Sequence, residues 1–373
     1  MPLSSPIAKT YQKHQPMIRP ACHTQNAACL SLAIVCFRVL SAITLLAIAL
    51  LTLPFPTLAF AQTAPAQANL TQASSDKAEA KNAASENSQE WSYIDNGQIK
   101  VGIKRSSGAA ISWVSRGNSD QNLVNHFDRG RLIQQSYYGD ADGSRWDKQP
   151  WHWNPVQGGH YLGRGAPVNE LKVSDKQIYA KSTPLHWATG ELLTDCTMEQ
   201  TITLHDQVAQ VHYRFAYAGN HTHAIRDQEV PAVFLEPEYK HLVLYSGDQP
   251  WRAGELDAKL ESTVPGWPNE SRKITEHWAA YVDDSGFGLG AYVPAASQLT
   301  CYRFGDGRRD HGACSYFAPL VRFAIKPGFT WEYDLYLTVG SQSEIRSRFY
   351  EVHQQREKSS SRILESAKES ATK

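Results

Sequence analysis

The sequence predicts an all-β protein: a large antiparallel β-sandwich followed by a short C-terminal helix. Three observations carry this. Apolar and polar residues alternate at period two through most of the second half of the chain. Turn clusters cut the alternating runs at intervals: SSG at 106–108, AGN at 218–220, DDSG at 283–286 and KPG at 326–328. No long helical period appears between the linker at 62–90 and Ser343. Many strands without intervening helices stack as a sandwich or close as a barrel.

Taken in order, residues 1–61 read as an export segment. Lys9, Lys13, Arg19 and Arg38 precede the apolar run VLSAITLLAIALLTL at 39–53, and Ala59-Phe60-Ala61 supplies a small-x-small cleavage site. An uncleaved anchor with its N-terminus inside is the other reading. Either places the folded part in the periplasm or outside the cell, with membrane contact only if the segment stays attached. Residues 62–90 are rich in Ala, Ser, Gln and Asn and poor in large apolar side chains, so they read as a disordered linker. Residues 91–345 form the predicted β-domain, and 346–373 a polar helical tail.

Within the domain, QIKVGIKR puts Ile99, Val101 and Ile103 on one face, and VHYRFAY does the same for Val211, Tyr213, Phe215 and Tyr217. HLVLYSG, FGLGAYVP and FTWEYDLYLTVG repeat the pattern. With 37 basic and 37 acidic residues the formal net charge is zero, which removes the electrostatic footprint of a nucleic-acid binder.

Of six cysteines, Cys22, Cys29 and Cys36 lie in the export segment, and Cys29 precedes the apolar core rather than following it, unlike a lipoprotein anchor. Cys301 and Cys314 flank the turn-rich YRFGDGRRDHGA and are candidates for a hairpin disulfide in an oxidising compartment. The alternative makes these two and Cys196 buried thiols.

Residues 128–161 crowd six Trp and Tyr residues among charged groups, amides and glycines. Buried Trp and Tyr need polar partners, and exposed aromatics are a hazard unless they bind something. Flat rings beside bidentate polar groups suit a sugar. If 131–138 is a strand, Arg131, Ile133, Gln135 and Tyr137 share a face that could meet saccharide hydroxyls or carboxylates. The competing reading is an Asp128–Arg131 ion pair with Tyr137 as core filling. Tyr138, Trp146, Trp151, Trp153, Asn154, Gln157 and His160 complete a candidate sugar-binding loop. GDADG, with Asp140 and Asp142, has the oxygen-rich look of a calcium loop without its remaining positions, so a turn held by the aspartates competes with it. No other cofactor is called for.

A third group supplies His186, Trp187, Glu199 and Glu229. Glu229 stands just before the apolar VPAVFL, where a carboxyl is poorly solvated and its pKa rises, as an acid–base catalyst needs. A structural ion pair with Arg226 is the alternative. His277 and Trp278 read as a further groove wall, or Trp278 as a core residue.

The strings NLVNHFDRGRLIQQSYYG, WHWNPVQGGHY, HWATGELLTD, RDQEVPAVF and EHWAAYVDDSGFGLGAYVP resemble secreted bacterial β-sandwich proteins similar to the galactose mutarotase-like supersandwich superfamily. The resemblance implies carbohydrate binding and a sugar, oligosaccharide or polysaccharide as partner. It also implies a histidine–glutamate set, for which His186 or His223 with Glu229 are the candidates. Two enzymatic expectations follow. In a glycoside hydrolase, Glu229 and Glu199 act as the carboxyl pair while Arg131, Gln135 and Tyr137 orient the sugar. In a polysaccharide lyase, Tyr137 or His186 takes the proton beside a uronate that Arg131 neutralises. The non-enzymatic alternative is a carbohydrate-binding sandwich.

Overall fold

The computed structural model describes residues 90–252, 254–260 and 269–371. The export segment and all of the linker except Glu90 lie outside them. Among the described residues, strands form two large antiparallel sheets and one small hairpin, and no helix is long and apolar enough to cross a membrane.

The first sheet runs, edge to edge, Trp91–Asp95, Ile99–Lys104, Ile111–Arg116, Ile133–Ser136, His223–Leu235, Cys314–Ile325, Gln298–Phe304 and Glu270–Lys273. The short strands Pro155–Val156 and Leu185–His186 attach beside Ile133–Ser136. The second sheet runs Asp257–Leu260, His241–Leu244, Trp278–Val282, Phe287–Tyr292, Thr330–Ser341, Val208–Tyr217, Cys196–His205, Gln177–Ser182 and Val168–Val173.

The main core lies between the sheets. Ile99, Val101 and Ile103 from the first sheet and Val211, Tyr213, Phe215 and Tyr217 from the second all enter it, as their alternation predicts. Burying each such side chain contributes about 1.5–3 kcal/mol. The expected all-β sandwich is the observed architecture.

The helix, α1 (Gln342–Ala371), starts directly from the last strand. Ser341 and Glu344 cap it reciprocally: Ser341 N–H donates to the Glu344 carboxylate at 2.7 Å and Glu344 N–H to the Ser341 hydroxyl at 3.4 Å. Ile345 and Phe349 bury against Trp278, Tyr292 and Tyr336 on the outer face of the second sheet. The first turns of α1 are therefore part of the fold, not a polar tail.

Two expectations are corrected here. Cys301 and Cys314 are not joined. Cys301 pairs with Phe317 and Cys314 with Phe304, so they sit three register positions apart on neighbouring strands. Cys301 enters the core between the sheets while Cys314 packs on the opposite face with Tyr316, and no disulfide geometry spans that arrangement. Trp278 is no groove wall. It is fully buried beneath α1, its indole N–H donating to Glu276 at 2.9 Å.

Candidate functional site

The outer face of the first sheet carries the candidate site, and a strand irregularity creates it. In His223–Leu235, Val233 and Leu235 point into the core while Ala232 and Phe234 point outward. Simple alternation would then send Glu229 inward. The register slips between Glu229 and Val233, around Pro231, and the parity reverses: Val230 turns into the core and Glu229 outward. Proline cannot donate to the ladder, and bulges of this kind re-aim side chains.

Glu229 is 8% exposed and meets phenols from both neighbouring elements. The Tyr138 hydroxyl donates to its Oε1 at 2.7 Å, and the Tyr316 hydroxyl donates to the same oxygen. Burial raises the Glu229 pKa above the ordinary glutamate value, while the hydrogen bonds from Tyr316, Tyr138 and Ser136 work the other way. Desolvation and the neighbouring carboxyl hold both phenols well above their ordinary pKa, so they act as hydrogen-bond donors.

A second carboxyl serves this face. Asp128 is raised by desolvation, against the pull of Arg131 and the backbone N–H groups of Gly130 and Arg131. Its Oδ2 lies 3.2 Å from Arg131 Nε and its Oδ1 accepts Gly130 N–H at 2.8 Å. Arg131 also donates to the Gly312 carbonyl and spreads its guanidinium over Phe127 and Phe304. The two carboxyls reach the same strand, Gln298–Phe304: Tyr316, which donates to Glu229, packs on Tyr302 at 4.5 Å, and Arg131, paired with Asp128, lies over Phe304 at 5.4 Å.

An aromatic wall flanks the carboxyls. Trp187 packs on Trp146, Trp151 and Tyr161, each with ring centroids 5.1–5.2 Å away. Gly130 admits it: a Cβ there would stand 2.5 Å from the indole nitrogen. Trp151 stacks on His152 at 4.5 Å, and His152 sits edge-on to Tyr138 at 5.1 Å. Burial, helped by the charge of Arg226, pushes the His152 pKa down to about 4, so the ring is neutral at physiological pH. His160 stands at the far end against Tyr161, 4.8 Å between rings, its pKa lowered by burial.

Several predicted site residues take other places. Gln135 and Tyr137 face the core, not a ligand: Tyr137 is fully buried, stacked on Phe215 at 4.2 Å, and its hydroxyl donates to the Gln135 carbonyl at 3.0 Å. The competing reading, an Asp128–Arg131 pair with Tyr137 as filling, is what the structure contains. Asn154 donates to the Tyr137 carbonyl at 2.7 Å and Gln157 to Gln200 at 2.9 Å, both inside the fold. Trp153 lies under His223, stacked at 4.1 Å, and is nearly buried.

His186 is buried with Nε2 2.8 Å from Asp142, while Nδ1 accepts the amide of Ala188 at 3.1 Å. Asp142 also accepts the Ser144 amide at 2.9 Å, whereas Asp140 turns to His221, Ala224 and Arg226. The two aspartates of GDADG thus diverge: Asp142 holds the local turn, and Asp140 reaches across to residues 221–226.

Glu199 is displaced furthest. It projects from the outer face of the second sheet, pairing with Arg214 at 2.8 Å and accepting from Tyr179 at 2.8 Å. Met198 and Gln200 on either side point into the fold. Glu199 and Glu229 therefore lie on opposite outer faces of the sandwich and cannot address one bond. Sequence reading missed Tyr316, Tyr302 and His152. The first two were signalled by CSYFAPL and QLTCYRF, whose alternation places each tyrosine opposite a core residue.

No known family matches the sequence, and no curated protein matches it either. Among solved structures the chain is similar to a galactose mutarotase related enzyme from Lactobacillus acidophilus, at 13% identity, covering 67% of this chain and 97% of that one with a TM-score of 0.45. It is similar to a galactose mutarotase-like protein from Lactobacillus casei at 12% identity, covering 67% and 99% with a TM-score of 0.43. An alpha-galactosidase from Geobacillus stearothermophilus follows at 10% identity, covering 68% of this chain and 40% of that one with a TM-score of 0.42.

Proposed function

We propose that this protein is an exported carbohydrate-active enzyme that holds a glycan against the outer face of its first sheet. Glu229 transfers the proton, and Asp128 is the second carboxyl. The observation that carries this reading is Glu229 itself, a nearly buried carboxyl that receives both phenol donors on one oxygen, Oε1. A carboxyl whose pKa is raised by burial keeps its proton nearer to neutral pH and delivers it to a departing glycosidic oxygen. Trp151, Trp187 and Trp146 offer ring faces and edges to pyranose C–H surfaces, and Arg131 offers sugar hydroxyls the guanidinium N–H groups that Asp128 and Gly312 do not take. Export rests on the basic flank and apolar run at 39–53.

Binding without turnover is the second reading. It is favoured by the commitment of Arg131 to Asp128 and Gly312 before any ligand arrives.

The test is a screen of the purified protein on neutral and acidic polysaccharides, reading reducing ends and ultraviolet absorbance together. Reducing ends alone identify hydrolysis, and both signals rising identify elimination. The enzymatic reading expects Glu229→Gln to lower either by about 10²–10⁴-fold. Retention on a glycan gel with no turnover of any substrate would replace it with the binding reading.

A further inference from the structure

At the start of the strand that carries Glu229 stands a group that the proposed chemistry does not use. Asp140, His221 and His223 each bring one ligand-type atom within 4.8 Å of the others. The carboxylate Oδ2 of Asp140 is 3.2 Å from His221 Nε2, and the two imidazole rings lie 4.7 Å apart. His223 is 5% exposed, and its Nε2 is sealed from solvent without a hydrogen-bond partner. The other nitrogen, Nδ1, has only the Asp140 amide at 3.3 Å, a long contact. A buried polar atom left unpaired is costly, and neither ring nitrogen of His223 holds a strong partner within the fold.

We propose that Asp140, His221 and His223 form a binding site for a transition-metal dication, zinc above all, with a fourth position open to water. Two imidazoles and one carboxylate are the ligand set zinc takes, whereas calcium asks for six to eight oxygens. A tetrahedral zinc separates its ligand atoms by roughly 3.4 Å, so the present group closes on the metal by shifts of about an ångström.

The ligands are already supported. The Ala224 amide donates to Asp140 at 3.2 Å, and Trp153 stacks under His223 at 4.1 Å, fixing the ring plane. Arg226 reaches Asp140 at 3.5 Å, but its side chain is 40% exposed, so a bound metal displaces it into solvent.

The position of the site suggests its purpose. Asp140 lies two residues after Tyr138, and His223 opens the strand whose register slips further along, between Glu229 and Val233. A metal here fastens the loop carrying Tyr138 to the strand carrying Glu229.

The test is equilibrium dialysis of the metal-free full chain against zinc, with cobalt as a spectroscopic probe. One zinc per chain, a tetrahedral visible cobalt spectrum and a rise in Tm on zinc addition are expected. Asp140→Asn and His221→Ala should each weaken binding by more than about 100-fold. His221 is exposed, so its variant tests the ligand without disturbing the core, and His212→Ala on the other sheet serves as the control. Absence of stoichiometric zinc in the wild type overturns the proposal. So does binding that survives Asp140→Asn and His221→Ala, or that falls only with His212→Ala.

Discussion

Tyr138 and Glu229 meet oxygen to oxygen at 2.7 Å, and they meet because the strand carrying Glu229 slips its register around Pro231. Without that slip Glu229 would be a carboxyl in the core between the sheets, an arrangement costly enough to forbid the fold. With it, the carboxyl stands on an aromatic outer face with its pKa raised by burial.

The sign of that shift makes a pH prediction. Activity that needs the protonated carboxyl falls as pH rises through the elevated Glu229 pKa. Tyr138→Phe removes a hydrogen bond that lowers this pKa, so the alkaline limb of the profile moves to higher pH. Stability follows the same linkage. The folded pKa lies above the unfolded value, so the contribution is complete below the ordinary glutamate value of 4.5 and is lost as pH rises through the folded pKa. Wild-type Tm should therefore fall relative to Glu229→Gln across that window. Parallel Tm–pH curves for the two proteins would show that Glu229 is not a perturbed group.

Glu199 supplies the contrasting case. Its carboxylate is tied to Arg214 and Tyr179 on the outer face of the other sheet. Glu199→Gln should leave turnover within about twofold of wild type, while the half-exposed ion pair it loses is worth about 0–1 kcal/mol. A loss of turnover comparable to that of Glu229→Gln, without unfolding, would contradict the two-face arrangement.

These two glutamates also measure what the sequence could reveal. Alternation reports which residues share a face, and it identified the inward sets Ile99, Val101, Ile103 and Val211, Tyr213, Phe215, Tyr217 correctly because all are apolar. It cannot say which face of a mixed strand is inside. The Arg131, Gln135 and Tyr137 row looked like a ligand surface, yet Gln135 and Tyr137 satisfy each other in the core. Nor does it say which sheet a strand joins, which is why Glu199 and Glu229 looked like a pair. Glu229 and Tyr138 were singled out, but the bulge that brings them together is a property of strand pairing. The S-x-x-E start of α1 was legible in principle, being a local signal.

The cysteines give a direct chemical test. Cys301 and Cys314 lie on opposite faces of their sheet and do not pair. Denatured protein spanning residues 91–373, purified under air, should titrate three thiols, Cys196 included. Dithiothreitol should leave its Tm unchanged, whereas loss of a native disulfide typically costs about 2–5 kcal/mol. One titratable thiol in place of three would restore the hairpin disulfide and require the two strands to pair in another register.

The anchoring of α1 leads to the largest expected stability change. Glu276 is fully buried and takes Arg346 Nη2 at 2.6 Å, Arg346 Nε at 3.1 Å, the Trp278 indole at 2.9 Å and the Trp251 amide at 2.8 Å. Arg346 also donates to the Gly254 carbonyl and lies over the Tyr245 ring at 5.1 Å. Arg346→Leu leaves the carboxylate buried without its cation and should cost about 3–5 kcal/mol, because the desolvation already suffered by Glu276 is no longer offset. Adding Glu276→Gln to that variant removes the stranded charge and should recover a large part of the loss. Denaturant titration of the two single variants and the double variant closes the cycle. If the single variant lost under about 1 kcal/mol, the pair would be a solvated surface bridge and α1 would owe its place to Ile345 and Phe349 alone.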